Sequence, residues 1–162
     1  TLLDMSELQT VGRDETIAVA DLVDEVLVDL EPLAQEKEIK LVGSCKDITM
    51  IGSDILIYRM VYNLVENAIK YNHFGGQVTI TAYRNGKNIC LSVEDTGSGI
   101  PAELKERIFE PFFRVDKSRS RQLGGVGLGL ALVREIVRVH DGRITVQSSP
   151  SGGTIFEIVF TQ

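Results

Sequence analysis

The sequence predicts an α+β two-layer sandwich, with one mixed, mostly antiparallel sheet covered by helices on one face. Two pairs of segments, Val78–Tyr83 with Ile89–Val93 and Ile144–Gln147 with Thr154–Phe160, alternate apolar and polar residues as half-buried strands do. Three longer segments, Ala20–Glu36, Asp54–Tyr71 and Leu128–His140, carry apolar residues at helical spacing. Helices and strand pairs are segregated along the chain, and 162 residues that are 43% hydrophobic suffice for one core.

Leu2, Leu3, Met5 and Leu8 have helical spacing, and Gly12 to Thr16 is a polar break that reads as a linker. In the helix from Ala20, the apolar stripe is Leu22, Val23, Val26, Leu27, Leu30 and Leu33, and Pro32 is expected to kink or divide it. Ile39–Ser44 and Ile48–Ile51 read as strands. Ser53 offers an N-cap to the helix that runs to Tyr71, and Asn72–Gly76 is a turn. Asn85-Gly86 is a hairpin signal between two strands. Thr96 to Gly125 shows little pattern beyond a short helix at Ala102–Phe109, and a loop of that length is commonly functional. Pro150-Ser-Gly-Gly153 separates the last two strands.

The formal charge of −6 argues against general nucleic-acid binding, so any phosphate chemistry needs local cations. No apolar run approaches a membrane span, and no signal peptide is visible. Cys45 and Cys90 are far apart inside strands and read as small core residues in a reducing compartment. The chain opens Thr-Leu-Leu-Asp without an initiator Met and reads as a piece of something longer.

Five short segments carry chemistry. Asn63, Asn67 and Lys70 share one helical face by their spacing. Asn is a poor interior helix residue, so two on one stripe ask for a reason. Amide oxygens can ligate Mg²⁺, whose other positions go to water and phosphate oxygens, and Lys70 would meet phosphate charge. An ordinary solvated face is the competing explanation. Asp95 follows a strand and precedes Gly97 and Gly99, so a fixed carboxylate could accept from an exocyclic amine while backbone approaches a flat base. A plain turn would look the same. Asp-Thr-Gly also occurs in aspartic proteases, but with no second such motif a protease would have to be a homodimer.

Gly125, Gly127 and Gly129 open the helix containing Leu130–Val139, where free N–H groups suit an anion. No Gly-Lys-Ser/Thr follows, so this is no P-loop, and Leu130 breaks the dinucleotide fingerprint. Between these motifs lie Phe109, Phe112 and Phe113, then Arg114, Lys117, Arg119 and Arg121: aromatic anchors and cations suited to a lid over a triphosphate. Gly152-Gly-Thr154 completes the set.

In this order, Asn63-Leu-Val-Glu-Asn67-Ala-Ile-Lys70-Tyr71, Asp95-Thr-Gly97-Ser-Gly99, Phe109-Glu-Pro-Phe-Phe113-Arg114, Gly125-Val-Gly127-Leu-Gly129-Leu and Gly152-Gly-Thr154, the chain resembles the catalytic ATP-binding domain of sensor histidine kinases. That family shares its ATP-binding Bergerat fold with DNA gyrase, Hsp90 chaperones and MutL. The resemblance covers about Asp14 to Phe160, and Phe-Glu-Pro-Phe-Phe-Arg-Val-Asp points to the kinase branch. It implies that Asn67 is the Mg²⁺ ligand with Asn63 beside it, and that Lys70 and Tyr71 lie along the phosphates and ribose. Asp95 would bind the adenine amine, Gly97, Gly99 and Ile100 would line the base pocket, and Thr154 would sit near the adenine. Arg114 and Arg119 would touch phosphates from the lid. Gly125, Gly127, Leu128 and Gly129 would shape the turn at the phosphates.

Relatives that hydrolyse ATP carry Glu, a general base, where Asn63 stands. An amide cannot take a proton from water, so the γ-phosphate should be kept for another acceptor. Glu66 lies off the Asn stripe. Histidine kinases phosphorylate a His on a separate helical hairpin. His73 lies in a turn and His140 at a helix end, and neither is in an acceptor motif. The expected organisation is therefore residues 1–13 as the end of an upstream dimerisation and acceptor helix with its linker, and 14–162 as the catalytic domain. The resemblance implies Mg²⁺ and ATP as ligands, the acceptor domain and a response regulator as partners, no nucleic acid, and no direct membrane contact. It further implies a monomeric piece from the cytoplasmic part of a membrane-anchored receptor. A non-catalytic ATP-binding regulator of the same fold is the alternative.

Overall fold

The computed structural model describes residues 5–110 and 129–162. Three helices and seven strands account for most of them: β1 (Glu15–Ala18), α1 (Val19–Gln35), β2 (Lys40–Cys45), β3 (Thr49–Gly52), α2 (Asp54–Lys70), β4 (Gln77–Asn85), β5 (Asn88–Asp95), α3 (Gly129–Val139), β6 (Gly142–Ser148) and β7 (Thr154–Thr161). The main sheet has the order β2-β4-β5-β7-β6. Only β2 and β4 run parallel; the other three pairings are antiparallel.

Alternation in the strands places one side chain set against the helices. Ile80, Val93 and Phe156 face one another across β4, β5 and β7, as do Ala82, Leu91 and Ile158 in the next row, and all are buried. Their partners on the other side, such as Thr79, Thr81, Ser92 and Glu157, stay partly exposed. Above the buried face α2 packs between α1 and α3. Met60, Val61, Leu64, Val65 and Ile69 of α2 are fully buried. Each such side chain contributes about 1.5–3 kcal/mol by leaving water.

Four expectations change. Residues of the expected linker form β1, which pairs antiparallel with β3 from Glu15↔Gly52 to Ala18↔Thr49, so a two-stranded ribbon stands beside the main sheet. Its only buried side chain is Ile17, which leaves little apolar signal. Pro32 does not divide α1. The carbonyl it leaves without a donor is that of Val28, a residue 72% exposed, where water can take it. Ala102–Phe109 is two short 3-10 turns, Ala102–Leu104 and Arg107–Phe109, rather than one helix. Met5–Thr10 is a 3-10 helix whose Leu8 is buried in the common core. Cys45 is half-buried and Cys90 buried, both as free thiols.

The start of α2 is held from three sides. Ser53 caps it by accepting from Leu56 N–H at 3.3 Å, and Glu15 Oε1 accepts from Asp54 N–H at 3.1 Å. The Ser53 N–H donates to His140 Nε2 at 3.0 Å. The other ring nitrogen, Nδ1, lies 2.8 Å from the Ile136 carbonyl. A carbonyl needs a donor and the Ser53 N–H needs an acceptor, so His140 is neutral with its proton on Nδ1. Edge-to-face packing on Phe160 at 6.0 Å completes the site. Burial pushes the His140 pKa below 6.5, reinforced by Arg13 and opposed by the Ile136 bond and Asp141.

Since the unfolded chain binds this proton more readily than the folded one, the stability His140 contributes is complete above pH 6.5 and declines as pH falls from there toward the depressed folded value. Urea unfolding between pH 7.5 and 5 should show this slope, and His140→Gln should flatten it; an equal slope in both proteins would assign it to other groups.

Candidate functional site

The end of β5, the end of α2 and the start of β7 meet at Asp95. Its Oδ1 accepts from Gly97 N–H at 2.8 Å and from Thr154 N–H at 3.3 Å. Among the described residues Oδ2 takes no hydrogen bond, so one oxygen is fixed by backbone and the other is open to a donor from outside. Burial raises the carboxyl above its usual 3.8, the Gly97 and Thr154 N–H groups pull it down, and Glu94 raises it further. Its hydrogen-bond partners among the described residues are backbone groups.

Close backbone contact seals this turn. A methyl on Gly97 would lie 2.7 Å from the Tyr71 carbonyl, so the turn rests directly on the end of α2. A methyl on Gly153 would lie 2.0 Å from the Asp95 carbonyl oxygen. The loop bearing Gly153 is tied down: Ser149 N–H donates to Gly153 O at 3.0 Å, Gly152 N–H donates to Ser149 O at 2.9 Å, and the Ser149 hydroxyl donates to Glu94.

Asn72, read from sequence only as part of a turn, joins these elements. It is fully buried. Its Oδ1 accepts from His73 N–H at 2.9 Å and Thr96 Oγ1 at 3.2 Å, while Nδ2 donates to the Gln77 carbonyl at 3.2 Å. Thr96 Oγ1 in turn accepts from Gln77 N–H at 2.9 Å. An Asn beginning a turn was the available signal, since such side chains bond nearby backbone.

On α2, Asn63, Asn67 and Lys70 are half-buried while Leu64, Val65, Ala68 and Ile69 are buried, so the stripe borders the core without entering it. Lys70 Nζ lies 3.9 Å from Glu66. Among the described residues no cluster of three or more His, Cys, Asp or Glu could hold a metal. The donor set that suits Mg²⁺ with a phosphate chain is the pair of Asn amides, neutral oxygen donors that leave charge compensation to the phosphates. Ile100 packs against the core, Thr154 is buried, and Gly129 opens α3. Phe109 is buried edge-to-face on Phe156 at 6.2 Å. Arg114, Arg119, Gly125, Gly127 and Leu128, with Phe112, Phe113, Lys117 and Arg121, lie outside the described residues. No helix among the described residues is long and apolar enough to cross a membrane.

Gly153→Ala should be costly because the obstacle is backbone: overpacking of this kind destabilises by about 1–3 kcal/mol. Urea unfolding should show a lower midpoint at unchanged slope, and an unmoved midpoint would mean the two loops are not pressed together as described.

Comparison with known proteins gives the family. The model of the histidine kinase-, DNA gyrase B- and HSP90-like ATPase family matches residues 52–162. The sensor-like histidine kinase SenX3 of Mycobacterium tuberculosis is 38% identical over 161 residues, which are 97% of this chain and 39% of that protein. The catalytic domain of histidine kinase ThkA superposes with a TM-score of 0.82 at 28% identity, over 93% of this chain and 96% of that one. ThkA in complex with the response regulator TrrA gives a TM-score of 0.77 at 27% identity, over 91% of this chain and 41% of that one. The chain spans well under half the length of the curated relatives it matches. Over that span it belongs to the histidine kinase-, DNA gyrase B- and HSP90-like ATPase family, as an ATP-binding catalytic domain of the sensor histidine kinase type.

Proposed function

We propose that this domain binds ATP with Mg²⁺ and donates the γ-phosphate to a His on a dimerisation and acceptor domain of the same protein, from which a response regulator takes it. The observation that carries the nucleotide assignment is Asp95, with Oδ1 fixed by the Gly97 and Thr154 N–H groups and Oδ2 open. An exocyclic amine is the donor this oxygen suits. Ionised, the carboxylate offers acceptor sites on both oxygens, and the Gly97 and Thr154 N–H groups favour that form against the desolvation that opposes it.

Asn67, with Asn63 beside it, would hold Mg²⁺, and Lys70 and Tyr71 would run along the phosphates and ribose. Bound there, the metal would neutralise charge on the phosphate oxygens. Gly97, Gly99, Ile100 and Thr154 would enclose the base. From the segment beyond the described residues, Arg114 and Arg119 would reach the phosphates, and Gly125, Gly127 and Leu128 would shape the turn at the phosphates together with Gly129 at the start of α3. The acceptor imidazole nitrogen attacks the γ-phosphorus as the bond to the β–γ bridging oxygen breaks, and ADP leaves with that oxygen. Catalysis of this kind is positioning and charge neutralisation. Asn63 supports transfer over hydrolysis, since its amide cannot deprotonate water. The complex of ThkA with TrrA supports a response regulator as partner.

Calorimetric titration with Mg·ATP should give binding that Asn67→Ala weakens by at least roughly tenfold, or ~1.4 kcal/mol. Addition of a purified acceptor hairpin and γ-labelled ATP should then label a His, with little free phosphate released when the hairpin is left out. Brisk hydrolysis without acceptor, or binding indifferent to Asn67, would overturn the assignment.

A further inference from the structure

Lys37 belongs to none of the nucleotide motifs. It lies just after α1 and is half-buried. Its Nζ is 3.2 Å from the Ile69 carbonyl, 2.9 Å from that of Lys70 and 2.7 Å from that of Asn72. These carbonyls end α2 and begin the turn after it. Those of Ile69 and Lys70 are among the last carbonyls of the helix, at the negative end of its dipole; Ile69 O also accepts from Asn72 N–H at 3.2 Å, and Asn72 lies in the turn beyond. An ammonium offers three N–H donors and no acceptor, which matches a converging set of carbonyls.

The backbone of the same segment is fastened to the same turn. Gly75 N–H donates to Lys37 O at 2.9 Å, and Lys40 N–H donates to Gly76 O at 3.0 Å. Glu38 adopts φ +52°, a left-handed conformation uncommon outside glycine. That bend lets Lys37 reach the end of α2 while Ile39, two residues on, is buried in the core. A strained residue maintained between a buried anchor and a threefold carbonyl contact is what a rigid clasp requires.

We infer that Lys37 is a positioning residue for the phosphate and metal end of the pocket. It touches no nucleotide. It holds the last turn of α2, which runs from Asn67, whose carbonyl accepts from Tyr71 N–H at 3.2 Å, through Lys70 to Tyr71. The inference rests on the assignment of Asn67, Lys70 and Tyr71 to Mg²⁺ and phosphates. The Asp95 carboxylate has its own supports in the Gly97 and Thr154 N–H groups, to which Lys37 makes no bond, so the two ends of the pocket should respond differently to loss of the clasp.

The test compares wild type, Lys37→Met and Lys37→Arg. Hydrogen exchange without nucleotide reads the clasp itself: in Lys37→Met the Tyr71 and Asn72 amides should exchange roughly tenfold faster, as expected when a cap worth about one charged hydrogen bond is lost. Titration reads positioning: Lys37→Met should weaken Mg·ATP by roughly tenfold but ADP without Mg²⁺ by less than about threefold, with Lys37→Arg recovering part of the loss because it keeps charge and donors. Unchanged exchange at those amides would overturn the clasp. Equal losses for the two ligands, the mark of general destabilisation, would overturn positioning. A wild type that does not bind Mg·ATP would sink the nucleotide assignment, and positioning with it, while the exchange data would still judge the clasp separately.

Discussion

The two backbone N–H groups that converge on Asp95 Oδ1 come from the ends of neighbouring strands that are far apart in sequence. Gly97 belongs to the turn leaving β5, and Thr154 starts β7. A carboxylate taken from water costs several kcal/mol unless it is hydrogen-bonded, and here both bonds come from main chain that cannot swing away. Sheet register brings the two strands together, with Glu94 opposite Ile155 one residue before Asp95. The glycines around Asp95 follow from this: Gly97 must pass Tyr71, and Gly153 must pass the Asp95 carbonyl, at distances that admit no side chain. Loops, strand ends and helix end are fitted around one charge.

Helix α2 depends on that arrangement at its last turn and on a second one at its first. The first turn has His140, Glu15 and Ser53 accepting from the N–H groups of Ser53, Asp54 and Leu56. The last has Lys37 on its carbonyls and Asn72 tying it to Thr96. A helix held at both ends by side chains from other elements cannot slide along its axis without breaking buried hydrogen bonds. Its stripe of Asn63, Asn67 and Lys70 therefore keeps a fixed position relative to Asp95. Pre-organisation of this kind is what the proposed phosphoryl transfer would need from the protein, since the bonds broken and made would lie on the nucleotide and its acceptor.

What the sequence made legible followed local rules. Strand alternation, the Asn85-Gly86 turn and the Ser53 cap each depend on residues within a few positions, and the elements they predict are present. The Asp95, Gly97 and Thr154 grouping was legible through motif order, and the structure brings those three together. What was not legible depended on distant partners. The ribbon strand β1 has one buried residue and owes its form to pairing with β3. His140 acts on Ser53 and Lys37 acts on Lys70, separations of 87 and 33 residues that no periodicity encodes. The Ala102–Phe109 segment has helical composition but forms two 3-10 turns, of which the second buries Ile108 and Phe109 in the core. Tertiary packing overrode propensity there.

In the proposed complex the open oxygen of Asp95 reads an exocyclic amine. The most direct measurement is a binding cycle that crosses two changes: ATP against the purine nucleotide that lacks the 6-amine, and wild type against Asp95→Asn. Wild type should prefer ATP by roughly tenfold or more, as expected when a buried charged acceptor loses its donor. In Asp95→Asn that preference should largely vanish. A preference of equal size in both proteins would contradict the claim, because the amine would then be recognised somewhere else.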